Sequence, residues 1–176
     1  MNRETGLFFI FAFGVMVGCN KPSKVEQYRA EKHERDSVAL VDQRRSLAYY
    51  EEQLALLVPQ ADSLMTLFQY EKNEKYQDHG FYVATGKWGN VRVMVRDDGQ
   101  RDVLAYYAGK PLTVNGDRLE GKGYQMAEED RVALERAQHL QVVMRDIKEL
   151  EKRISKTSLE IQKYEKRMEK SERIED

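Results

Sequence analysis

Between Val38 and about Glu74 the apolar residues recur every three or four positions, at Leu40, Leu47, Tyr50, Leu54, Leu57, Ala61, Leu64 and Phe68. That spacing lays one apolar stripe along a helix. Pro59 lies inside the run, and a ring with no N–H to donate predicts a kink or a short break near Val58. In the last third of the chain Leu140, Ile147, Ile154, Ile161 and Met168 fall on heptad a positions, with Val143, Leu150, Thr157 and Tyr164 on d positions. Neither proline nor glycine occurs after Gly123, so a second helix is predicted from about residue 126 to 171. Gln125 and Met126 cap it poorly, although Glu128, Glu129 and Asp130 suit the positive end of a helix dipole.

The stretch between these helices has a different period. It contains every glycine beyond Gly18, and it alternates apolar with polar residues at Phe81 and Val83, at Val91, Val93 and Val95, and at Val103 or Leu104 with Tyr106. Turn sequences separate the runs: Gly86 to Asn90, Asp97 to Gln100, Ala108 to Pro111, and Asn115-Gly116. Four or five antiparallel strands in a meander are predicted, within a β head spanning residues 76–125.

If the chain reverses direction across this head, Val38 falls near Tyr164, while Leu47, Leu54 and Ala61 face Ile154, Ile147 and Leu140. The predicted fold is therefore α+β, a long antiparallel coiled-coil helical hairpin with a small antiparallel β-meander inserted between its arms. Its seam comprises Leu47, Leu54 and Leu57 on the first helix and Leu140, Ile147, Leu150, Ile154 and Ile161 on the second. The alternative joins the heptads of separate chains in a homo-oligomer, but Thr157 and Tyr164 at d sites fit a two-stranded parallel coil poorly. A head of about 45 residues buries little core alone, so Leu64, Phe68 and Tyr70 are expected to pack it on the helix ends. In outline the helix–β–helix order resembles prefoldin subunits and, more distantly, the periplasmic chaperone Skp. No motif of either family is shared, so no functional residue carries over.

Composition narrows the function. One third of the 176 residues are charged, but 29 basic and 30 acidic residues leave a net charge of −1. That balance argues against a nucleic-acid partner and fits solvated helix faces. A single cysteine excludes an internal disulfide and a cysteine-rich zinc site.

That cysteine ends an apolar run, Leu7 to Gly18, preceded by Arg3 and followed by Asn20 and Lys21. Twelve helical residues reach roughly 18 Å against the ~30 Å of a bilayer core, so the run reads as a signal-peptide core over residues 1–18. Met16-Val17-Gly18-Cys19 resembles the lipobox of bacterial lipoprotein precursors, with Met16 where Leu is usual and Val17 where Ala or Ser is usual. The resemblance implies that Cys19 is lipidated and becomes the mature amino terminus, anchoring the protein in the cell envelope. Residues 19–37 then read as a hydrophilic tether, 38–75 as the first helix and 172–176 as a tail. The basic character of Asn20 to Lys24 favours a periplasm-facing location.

Catalytic groups are not assembled by this sequence. His33, His79 and His139 lie far apart without companion ligands, and no serine sits in a nucleophile turn. Gly121-Lys122-Gly123 precedes a helix, yet it lacks the surroundings of a phosphate loop and reads as a hinge. No catalytic residue, metal or cofactor is expected. What remains is a concentration of aromatic residues in the head. Alternation sends Phe81 and Tyr82, and Tyr106 and Tyr107, to opposite faces of their strands, so one face serves the core while the other is either covered by the helices or exposed as a patch. Trp88 with Lys87, in a glycine-flanked turn, and Tyr82 and Tyr107 on strands, are the candidates for binding a partner. The expected role is that of a structural or adaptor lipoprotein contacting another envelope protein. The alternative is an oligomeric holdase-like chaperone.

Overall fold

A computed structural model of the protein describes residues 23–72 and 79–172. The elements run α1 (Lys24–Met65), β1 (Gln69–Lys72), β2 (Gly80–Thr85), a single 3₁₀ turn (Lys87–Gly89), β3 (Val91–Arg96), β4 (Leu104–Tyr107), β5 (Lys110–Asn115), β6 (Arg118–Glu120) and α2 (Glu128–Glu172). The fold is α+β, as the sequence predicts, with an antiparallel sheet between two long helices that pack on one another. The signal-peptide run, Cys19 and the first residues of the expected tether lie outside the described residues, as do residues 73–78 and the last four. Among the described residues no helix is long and apolar enough to cross a membrane.

Helix α1 begins earlier than periodicity predicts. Ser23 forms a capping box, its hydroxyl accepting from the Glu26 amide at 3.2 Å while the Glu26 carboxylate accepts from the Ser23 amide at 2.6 Å. Residues 24–37, expected as tether, are therefore the first turns of the same helix. The helix also passes through Pro59 without the expected break. It stops at Met65, ten residues before the expected boundary, where the Thr66 hydroxyl donates to the Ser63 carbonyl at 2.7 Å. The chain then enters β1, where the sequence predicts helix, so the sheet has six strands: the five that lie within the predicted head, and β1 before them.

The two helices are antiparallel. Arg44 pairs with Glu165 at 2.7 Å, the Arg153 guanidinium lies 5.9 Å from the Tyr50 ring centre, and the Gln60 amide is 3.2 Å from the His139 imidazole. Those pairs step along both helices in opposite directions, in the register that sets Leu47, Leu54 and Ala61 toward Ile154, Ile147 and Leu140. Every predicted seam residue is buried or half-buried, and the d-site Thr157 is buried with them. On α1 the seam continues at the three- and four-residue spacing back to Asp36 and His33, which line one notch with Arg167 and Met168.

Strands β1 to β6 pair in simple sequence order. Registers Tyr82↔Val95, Ala84↔Val93, Val91↔Tyr107 and Val93↔Ala105 place these residues on one face, because cross-strand partners share a face. That face covers the start of α2: Val91, Val93, Val95 and Ala105 join Ala133, Leu134 and Ala137 in one core. The head thus folds on the start of α2, with Phe68 packed against this core as expected, while Tyr70 remains exposed. The first turns of α2 belong to the head, and its later turns belong to the hairpin.

The β3–β4 turn locks the head to α2. Gly99 has φ +64°, and a Cβ there would come within 2.8 Å of the Arg145 amide nitrogen and 2.9 Å of the Met144 Cβ. The Gln141 side-chain amide donates to the Gly99 carbonyl at 3.1 Å. Gly99→Val is expected to lift this turn from the helix and lower the unfolding free energy by about 3 kcal/mol, read by chemical denaturation.

Candidate functional site

The tip of the β2–β3 hairpin carries the most exposed large apolar side chain described, Trp88, at 83%. Its backbone is left-handed, with φ 59° and ψ 14°, and Gly89 follows at φ 69°. The Asn90 amide donates to the Lys87 carbonyl at 3.4 Å across them. Two consecutive left-handed residues make a mirror-image hairpin turn, whose first central position favours asparagine, aspartate or glycine. A tryptophan there costs roughly 1–2 kcal/mol of backbone strain. Its ring gains no burial in return, and Lys87 lies beside it with the ammonium 5.6 Å from the ring centre.

What holds the turn is Asp130, only 2% exposed. One carboxylate oxygen accepts from the Lys87 amide at 2.7 Å, and the other accepts from the Tyr124 hydroxyl at 2.9 Å and from the Ala127 amide at 3.2 Å. Asp130 occupies the third position of α2, so its bond to Ala127 is the reach-back half of a capping box and repairs the poor cap predicted for this helix. Gly86 approaches so closely that a Cβ would collide with the Asp130 Oδ1 atom. A buried carboxylate thus ties the Trp88 turn to the start of α2, and a glycine admits it.

Tyr107 stands below this clamp. Its ring packs on Tyr124 with centres 5.2 Å apart, and it is half-buried against the core. The adjacent β4–β5 turn repeats the same backbone trick, with Ala108 at φ 47° and Gly109 at φ 77°, and the Ala108 amide donates to the Asn90 carbonyl at 2.9 Å. Tyr82 lies elsewhere, half-buried and stacked on Tyr70 with ring centres 5.2 Å apart. The four candidate residues therefore separate: Trp88 and Lys87 face solvent, Tyr107 packs against the core behind them, and Tyr82 belongs to the core face. Alternation along a strand assigns faces but does not say which face a helix covers. Asp130 is the residue the sequence reading missed. Its aspartate at the third helical position, following a glycine-rich segment, was the signal available.

Burial, then the hydrogen bond to Asp130 and the charge of that carboxylate, hold the Tyr124 phenol well above its ordinary value of 10.0. A folded-state value raised in this way contributes stability that is whole below about pH 10 and is lost as pH rises further. Near-UV circular dichroism during alkaline titration is expected to show the head's signal vanishing as Tyr124 ionises. Tyr124→Phe should remove that transition.

His79 is 3.2 Å from Asp97, beside the Arg96–Asp98 pair, His139 meets Gln60, and His33 sits at the far end of the hairpin. Among the described residues no three His, Cys, Asp or Glu side chains are placed to hold a metal ion. Gly121 lies where a Cβ would strike Leu112, and Gly123 has φ +75°, so this segment is a tight connection into α2. No known family model, curated protein or solved structure matches the chain.

Proposed function

We propose that the protein is a non-enzymatic, lipid-anchored envelope adaptor whose Trp88 turn docks on another protein. The carrying observation is the combination at Trp88: a large aromatic side chain kept in a strained left-handed turn, presented to solvent and clamped from behind by a buried carboxylate. Strain that buys no burial points to a role outside the fold. Tryptophan at the tip of a rigid hairpin is the kind of anchor that fills a partner's pocket, and Lys87 beside it favours a pocket with an acidic rim. Anchorage through Cys19 would set the head beyond a rod of 42 helical residues, roughly 63 Å. The basic residues that follow Cys19, Lys21 and Lys24, favour a periplasm-facing location.

The test has two parts. Palmitate labelling of the full chain in a bacterial host should be lost in Cys19→Ala. Crosslinked complexes recovered with the wild-type chain should contain a protein absent from the Trp88→Ala sample. An unlabelled wild-type chain rules out the anchor, and identical partners rule out the turn. A holdase-like chaperone is the second reading, favoured by exposed apolar residues along α1. It requires an oligomer that suppresses aggregation of an unfolded client.

A further inference from the structure

Helix α1 has two apolar stripes, and α2 uses only one of them. At 100° per residue the seam residues Leu40, Leu47, Leu54 and Ala61 lie on one side of α1, while Val38, Val41, Ala48, Tyr49, Ala55 and Leu56 lie on the opposite side. All six of the latter are exposed, Leu56 at 64%, Val38 at 58% and Tyr49 at 57%. On the outer face of α2 lysine, arginine and glutamate dominate, and only Val142 and Leu159 are large exposed apolar residues. Three charges interrupt the α1 stripe: Asp42, seven residues before Tyr49, and Arg45 and Glu52. Arg45 has only a marginal intrahelical partner, Asp42 at 3.9 Å, and Glu52 has no ion-pair partner among the described residues.

Read backwards, this stripe complements itself. A two-fold axis between Ala48 and Tyr49 sets Val41 against Leu56, Ala48 against Tyr49, Val38 against Pro59, and Arg45 against Glu52, each pair occurring twice, and it sets Asp42, the neighbour of Arg45, against the small Ala55. Parallel pairing would oppose arginine to arginine and glutamate to glutamate. We propose that the outer face of α1 is a self-association surface, on which a second copy of this chain packs antiparallel through residues 38–59. Small side chains at Ala48 and Ala55, seven residues apart, allow close approach of the two helices. The stripe is about 32 Å long and 10–12 Å wide, on the order of 350 Å² per copy, less than half of a standard interface. The dimer is accordingly weak and concentration-dependent. It goes beyond the adaptor reading and stands without it, since it uses neither Trp88 nor Cys19.

The test uses the full chain with Cys19→Ser in mild detergent, followed by sedimentation equilibrium. A monomer–dimer equilibrium is expected. Arg45→Glu and Glu52→Arg should each weaken it about tenfold, and the double exchange should restore it to within about threefold. Unchanged thermal unfolding of each variant shows that the hairpin is intact. In the same background Val41→Cys mixed with Leu56→Cys should crosslink between chains, while neither alone should. A monomer at every concentration, a larger assembly, a double exchange that fails to restore pairing, or a Val41→Cys chain that crosslinks to itself would each overturn the proposal.

Discussion

Asp130→Ala is expected to lower the unfolding free energy by about 3–5 kcal/mol, a large share of the roughly 5–15 kcal/mol that a domain possesses. Three donors lose their acceptor at once: the Lys87 amide, the Ala127 amide and the Tyr124 hydroxyl. Among the described residues the two amides, at a turn and a helix start, bond to this carboxylate, and the start of α2 loses its cap. Asp130→Asn should fall between, because one oxygen remains while the new amide group faces N–H donors. Chemical denaturation gives the magnitude. Hydrogen exchange should place the loosening at residues 86–91 and 124–131, with α1 protected as before. A loss below about 1 kcal/mol would mean that water replaces the carboxylate without cost, and the clamp would have no energetic role.

The second large effect separates stability from binding. Trp88→Asn puts a residue suited to the left-handed position into the turn, so the fold should gain about 1 kcal/mol. Partner affinity should fall by at least about thirtyfold, the loss typical of a central aromatic anchor. Most substitutions that abolish binding through the fold lower stability too, so opposite signs at one residue identify a side chain kept for contact. Calorimetric melting and a binding titration on the same protein supply both numbers. If the fold becomes less stable, the ring is packing on its own chain. If affinity is unchanged, the partner docks elsewhere.

The hairpin was legible because its seam is written in large aliphatic residues at unbroken spacing, and Ile147, Ile154 and Ile161 match Leu54, Leu47 and Leu40 layer for layer. Where the seam turns polar the reading failed. His33 and Asp36 occupy seam positions with no apolar signal, so the first turns of α1 passed for tether, although the Ser23 and Glu26 capping box marked the true start. Phe68 extends the spacing of Leu64 by four residues, and for that reason β1 was absorbed into a helix that had already ended. The packing of the head on α2 was partly encoded. Ala133, Leu134 and Ala137 form a wider, smaller-residue stripe than the heptads that follow, as suits a helix under a sheet. At the candidate site, the exposure of Trp88 was readable from its glycine flanks. Its left-handed backbone and the buried clamp were not, since both depend on a contact between residues 43 positions apart.

Two helices of one chain lie side by side, with the head at their junction. Short bismaleimide crosslinking of a chain carrying Cys19→Ser, Arg44→Cys and Glu165→Cys, diluted with unlabelled protein, tests this directly. A crosslink formed within single molecules is the predicted result, because Arg44 and Glu165 are paired at 2.7 Å. Crosslinks formed only between molecules, or none at all, would contradict it.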